Sequence, residues 1–157
     1  MDHLTFRRIG PDDEIPYELL LLADETIEAI NQYIFTSEVY ILNNGDQDIA
    51  VMALHENSTT EIELKNIAVT ESYRNKGIGS ILIDKAKELA TEKHYISLLV
   101  GTSDTGFQQI RFYEKNGFVK KGIRKDFFIE NYPFPIYENG MQMRDMVILE
   151  FLIIHER

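Results

Sequence analysis

The sequence predicts an α/β chain of the α+β kind, with a central mixed, mostly antiparallel sheet of six to seven strands flanked by about four helices. Three observations lead there. The apolar pattern changes period several times, with no internal repeat or low-complexity linker between the changes. Asn43-Asn44-Gly45-Asp46 separates two β-rich runs as a hairpin turn would. A segment with two glycines, Arg74-Asn75-Lys76-Gly77-Ile78-Gly79-Ser80, divides a strand-like stretch from an amphipathic one.

Residues 5–9 read as a short first strand, ended by Gly10-Pro11-Asp12-Asp13. That tetrapeptide supplies start signals for helical sequence running to about Gln32, with Pro16 near a helix start. Residues 39–42 and 49–55 are β-rich runs on either side of the Asn-Gly turn, a pair suited to positive φ. Asn57-Ser58-Thr59-Thr60 is a second turn, and residues 61–69 complete a three-stranded antiparallel meander. From Ser80 to about Lys93, Leu82, Ala86, Leu89 and Ala90 recur at helical spacing with charged residues between them. Residues 96–100 are apolar enough for a strand covered on both faces, as parallel strands are. Strand, helix, strand implies a right-handed crossover. Residues 107–115 read as a short helix closed by Asn116-Gly117 as a left-handed cap, and 118–129 and 145–154 as two late strands.

A chain of 157 residues suits one domain, 1–157, able to bury roughly two thirds of the surface of its unfolded form. No apolar run approaches the roughly 18 residues of a membrane span. The first eight residues lack the order of a secretory signal, so a cytoplasmic protein with no membrane association is expected. With no cysteine there is no disulfide, thiolate metal site or cysteine nucleophile. His3, His55, His94 and His155 stand singly, without metal-ligand spacing, so they read as surface or packing residues and no metal is expected. A net charge of −10 repels phosphate backbones and argues against nucleic acid. The same acidic surface suits a cationic acceptor, or simple solubility.

The glycine-bearing loop before the amphipathic helix reads as an anion cradle, its backbone amides turned toward a ligand at the positive end of the helix. Arg74 and Lys76 add charge that suits a pyrophosphate. A Rossmann site needs Gly-x-Gly-x-x-Gly and a Walker loop needs Gly-Lys-Ser/Thr, and neither spacing occurs.

Ile67-Ala68-Val69, the loop Arg74 to Ser80, Leu98-Leu99-Val100, and Phe112-Tyr113-Glu114-Lys115-Asn116-Gly117-Phe118 follow one another in the order of the GNAT acyltransferase superfamily, which the sequence resembles over nearly its whole length. The resemblance implies the GNAT fold and acetyl-CoA as cosubstrate. The pantetheine arm would lie along Ile67, Ala68 and Val69, and the loop from Arg74, Asn75 and Lys76 through Gly77, Ile78, Gly79 and Ser80 would hold the pyrophosphate. The strands on either side of the helix would splay to admit the thioester. Tyr113 matches the tyrosine that protonates the departing thiolate, and its ordinary pKa of about 10 keeps it protonated at neutral pH. Glu63 matches the position of a carboxylate base in several members, with Glu61 on the same strand face, and partial burial would have to raise its pKa above the usual 4.3 or so. Gly106 stands where many members carry a pantetheine-binding Asn, with Asp104 or Ser103 as substitutes.

The expected activity is transfer of acetyl to a primary amine of a small molecule, such as a polyamine or aminoglycoside, or of a protein, by direct attack in a ternary complex. Acyl groups longer than acetyl stay open. The alternative is a module of the same fold that binds or senses acyl-CoA without turnover. Residues 130–140, rich in aromatics and stiffened by Pro133 and Pro135, read as an acceptor wall or as an interface with a second copy in a homodimer.

Overall fold

The computed structural model describes residues 3–153. In chain order its strands are β1 (Thr5–Arg8), β2 (Glu38–Asn43), β3 (Asp48–Glu56), β4 (Glu61–Val69), β5 (Ser97–Ser103), β6 (Val119–Arg124), β7 (Tyr137–Glu138), β8 (Met141–Gln142) and β9 (Met146–Leu152). The α-helices are α1 (Tyr17–Leu20), α2 (Ile27–Asn31), α3 (Ile78–Glu92), α4 (Phe107–Lys115) and α5 (Phe127–Asn131). Seven strands form one sheet in the order β1-β2-β3-β4-β5-β9-β6, and β7 and β8 form a separate ribbon. Only the β4–β5 pair within that sheet is parallel.

Each face of the sheet is covered by a helical layer whose apolar residues were spaced for it. Ile78, Leu82, Ile83, Ala86 and Ala90 of α3 are buried with Met52, Leu54, Ile62, Leu64, Leu98 and Val100 beneath them. On the opposite face Leu19, Leu20 and Ile30 cover Val51, Ala53 and Ala68. Strand β3 lies between both layers, so residues 49–54 are all buried and its sequence is continuously apolar rather than alternating. Full burial of each Leu or Ile contributes about 1.5–3 kcal/mol.

Three elements depart from expectation. The helical stretch through Gln32 breaks into α1 and α2, because Asp24 accepts the Glu25 amide (2.7 Å) and Thr26 caps α2 by accepting the Ala29 amide (3.0 Å). Short polar side chains there compete with helical bonding. The strand expected over 118–129 stops at Arg124, since Asp126 adopts φ 56° and its amide donates to the Asp145 carboxylate (2.8 Å), after which α5 begins. Helix α3 starts at Ile78, two residues before Ser80, with Gly77 as a left-handed N-cap. The last strand ends at Leu152; Ile154, the lone His155 and the first two residues lie outside the described residues. Among the described residues no helix is long and apolar enough to cross a membrane.

Candidate active site

The loop before α3 has the shape an anion site requires. Asn75 and Gly77 both take positive φ, 60° and 81°, which turns the chain sharply into the helix. No side chain caps α3, so its first amides are left for a ligand. A β-carbon placed on Gly77 would meet nothing within 4 Å, and the space beside the uncapped amides is open. That opening fits a pyrophosphate. Gly79 serves a different end: a β-carbon there would stand 3.1 Å from the Phe112 ring, so this glycine lets α4 pack on α3. Arg74 donates from Nε to the Val69 carbonyl (3.1 Å), tying the loop to the end of β4, and Lys76 lies over the Tyr73 ring at 5.2 Å.

Strands β4 and β5 pair only over Glu61–Leu64 and Ser97–Val100. A bulge at Lys65 then turns β4 away, so from Asn66 to Val69 it pairs with β3 alone while β5 continues against β9. The strands therefore splay beside the glycine loop. On the α3 face, Tyr113 sits in one apolar cluster with Leu64, Ile67 and Val100, its ring against Phe112 and Phe118 at 5.3 and 5.7 Å. Burial pushes its hydroxyl pKa well above the ordinary value, so it keeps its proton.

On the other face, Glu63 is almost fully buried and saturated with donors. Arg124 approaches through Nη2 at 2.9 Å and Nη1 at 3.4 Å, Asn57 donates at 2.9 Å, and Lys65 stands 3.3 Å away. Burial alone would raise the carboxyl, but the Arg124 hydrogen bond, the Lys65 charge and the Asn57 hydrogen bond outweigh it and hold the pKa below the ordinary value. The burial expected of Glu63 is present and the raised pKa is not. Glu61 lies on the same face and takes a hydrogen bond from the same Asn57 side chain (3.0 Å).

Asp104 directs its carboxylate to the Arg144 amide (3.2 Å), bracing the loop before β9. The hydroxyls of Ser103 and Thr105 bond each other at 2.6 Å. At Gly106 a β-carbon would crowd Gln109, Thr102 and Glu138 at 3.1, 3.1 and 3.3 Å, so this chain has filled the space an asparagine would need.

Residues 130–145 fold back over the α1–α2 connection. Tyr132 and Tyr33 both donate to Asp24, at 2.6 and 3.1 Å, and Asn66 on β4 donates to Tyr33 (3.1 Å) and the Leu20 carbonyl (3.0 Å). Burial first, then the Asp24 carboxylate, pushes the Tyr132 hydroxyl pKa far up. Phe128, Ile136 and Met143 form a small apolar cluster beneath this loop, while Glu138 is engaged by the Thr105 hydroxyl at 3.0 Å. The loop thus packs between the α1–α2 connection and the residues that follow β5.

The family model for the GNAT acetyltransferase domain matches residues 36–120, more than half of the chain. The chain belongs to the GNAT family. It is similar to an uncharacterized N-acetyltransferase, YvbK, of Bacillus subtilis, 38% identical over 88% of each chain. Among solved structures it resembles a GNAT acetyltransferase of Elizabethkingia anophelis with acetyl-CoA bound, at 38% identity and TM-score 0.93 over 97% of this chain and 99% of the other. A Bacillus subtilis acetyltransferase in complex with CoA is 34% identical with TM-score 0.87, over 96% and 99%. This GNAT chain is an N-acetyltransferase with acetyl-CoA as cosubstrate. Among the described residues no group of three or more His, Asp or Glu is placed to hold a metal.

The structure gathers the predicted loop, the β4 residues Ile67 to Val69 and Tyr113 around the splay, and sets Glu63 on the opposite face beside it. Sequence reasoning missed Arg124, Asn57 and the Asp24–Tyr33–Tyr132 contacts. Their partners lie 61, 6, 9 and 108 residues away, and no apolar periodicity or turn signal reports such side-chain pairs.

Proposed function

We propose that the protein moves acetyl from acetyl-CoA to a primary amine by direct attack in a ternary complex. The acceptor amine sits on a small molecule, with polyamines and aminoglycoside-like compounds as first candidates, or on a protein side chain or terminus. The observation that carries this reading is the splay of β4 from β5, flanked by the open Gly77 loop on one side and the buried Tyr113 on the other.

When bound, acetyl-CoA supplies an activated thioester. In this reading the first amides of α3 and the loop amides from Lys76 to Ser80 hold the pyrophosphate, and the free edge of Ile67, Ala68 and Val69 aligns the pantetheine arm. Backbone N–H groups of that edge offer the donor for a developing oxyanion. Tyr113, kept neutral by burial, gives its proton to the leaving sulfur. A carboxylate has about four lone-pair sites, and those of Glu63 already face Arg124, Lys65 and Asn57. Glu63 therefore acts by holding Arg124, and the proton of the attacking ammonium leaves through water at the opening. Asp104 is assigned to bracing the loop before β9 rather than to pantetheine.

Relatives' names point to different acceptors: a Bacillus subtilis streptothricin acetyltransferase is 39% identical over 56 residues, and an N-acetylaspartate synthetase of Xenopus tropicalis 36% over 62. The test is release of CoA thiol from acetyl-CoA across a panel of amines, with mass spectrometry for the N-acetyl product. Amine-dependent release with product supports the reading; acetyl-CoA binding without acceleration by any amine contradicts it.

A further inference from the structure

Beside the splay lies a local charge arrangement unlike that of the whole chain. The chain has a net charge of −10, yet at the splay one carboxylate, Glu63, meets two cations, Lys65 and Arg124, leaving one positive charge in surplus. The balancing negative charge lies away from the opening, where Lys121 is shared between Glu61 and Glu150 at 3.8 and 2.9 Å. Exposure within the cluster is uneven. The Glu63 side chain is 3% exposed and that of Arg124 37%. The carboxylate is a buried anchor, and the Arg124 side chain that meets it is partly open to solvent.

Arg124 reaches this place by an unusual route. It starts on the edge strand β6 and crosses β9 and β5 to reach β4. The crossing depends on Gly101: a β-carbon there would lie 2.4 Å from the Met146 sulfur, and that sulfur lies 3.7 Å from Arg124 Nη1. Glycine, thioether and guanidinium thus stack over β5. The path ends at Glu63, next to Leu64 and Val100, the last parallel pair before the strands part. Arg124 turns its Nη end toward Glu63, and among the described residues Nε has no hydrogen-bond partner. One side of the fork, Nε with the outer Nη hydrogens, remains for a planar anion.

We propose that Arg124 determines acceptor specificity by binding a carboxylate on the acceptor, so that the substrates are amino-carboxylates, with amine and carboxylate in one molecule. This rests on the acetyl-transfer reading and sets amino-carboxylates ahead of its polyamine candidates. A polyamine would bring its ammonium groups against Lys65 and Arg124, a like-charge juxtaposition that interfaces avoid. An amino acid places its anion on the surplus positive charge and its amine toward the splay.

The test compares α- and ω-amino acids, each with its own carboxamide, alongside spermidine as a polyamine. The carboxylate form is expected to lead its carboxamide by on the order of 10- to 100-fold in kcat/KM, the range of a charge-assisted hydrogen bond. In Arg124→Gln the KM for the acid rises by that factor while kcat stays within a few-fold, and the acid-to-amide ratio falls toward one. Arg124→Lys recovers part of the preference. Because Arg124→Gln leaves the buried Glu63 with Lys65 and Asn57 alone, the double variant Glu63→Gln/Arg124→Gln is measured too, and the same split in KM is expected. Equal kcat/KM for acids and amides, or loss of both alike in every Arg124 variant, overturns the proposal and leaves Arg124 a structural clamp. Efficient turnover of spermidine and carboxamides overturns it while sparing the acetyl-transfer reading; acetyl-CoA binding with no amine turned over sinks both.

Discussion

The cofactor half and the acceptor half of this GNAT chain are built differently. The cofactor half, from β4 through α3 and β5 to α4, uses long regular elements, with α3 alone spanning 15 residues, and the ligand contacts proposed for it come from backbone exposed by local geometry. The acceptor half uses four- and five-residue helices, two-residue strands and left-handed turns at Asp126 and Asn139. It is held by side chains far apart in sequence, such as Tyr132 on Asp24 and Arg124 on Glu63. A site made of backbone at a glycine loop can be inherited by many acceptor chemistries, whereas a wall of side-chain contacts is where one chemistry is selected.

The sharpest way to break this contrast is Gly77→Val. The side chain would enter the open space beside the first α3 amides and oppose the positive φ, so acetyl-CoA binding is expected to fall below detection while circular dichroism stays unchanged. Retained affinity would place the cradle elsewhere. Next in size, Tyr113→Phe should lower kcat on the order of 10²-fold with little change in acetyl-CoA affinity; unchanged turnover removes Tyr113 from the acid role.

On the acceptor side, Asp24→Ala deprives Tyr33 and Tyr132 of their shared acceptor. A loss of about 1–3 kcal/mol in unfolding free energy is expected, with the acetyl-CoA Kd unchanged; a changed Kd would mean the halves are coupled. The smallest effect concerns Glu63 and pH. Its folded pKa lies below the reference 4.5, so its contribution to stability is present above that value and is lost as pH falls through the folded pKa. Wild type should therefore lose stability more steeply than Glu63→Gln below about pH 4.5, as followed by denaturant titration. The acidic limb of the kcat/KM profile should persist in Glu63→Gln, because the variant removes no base; its disappearance would restore Glu63 to that role.

The same contrast explains what the sequence disclosed. The meander, the crossover and α3 were readable because apolar spacing and Asn-Gly or Gly-x-Gly turns are local signals. The splay was legible only through family resemblance, and its cause, a bulge at Lys65, has no sequence mark. The run 118–129 read as one strand because its break rests on Asp126 bonding to Asp145, a contact across 19 residues. The expected rise in the Glu63 pKa followed from burial alone. The reversal came from Arg124, 61 residues away, and no periodicity reports such a partner. Gly106 read as a missing pantetheine contact, and its packing against Thr102, Gln109 and Glu138 became visible only in three dimensions.

In the proposed function the loop from Arg74 to Ser80 holds acetyl-CoA at the splay of β4 and β5. The most direct test of this is calorimetric titration of the full chain with acetyl-CoA, with CoA and NADH in parallel. Micromolar binding of acetyl-CoA and CoA, silence toward NADH, and loss of the signal in Gly77→Val are the predicted result; no binding of acetyl-CoA, or equal binding of NADH, would contradict it.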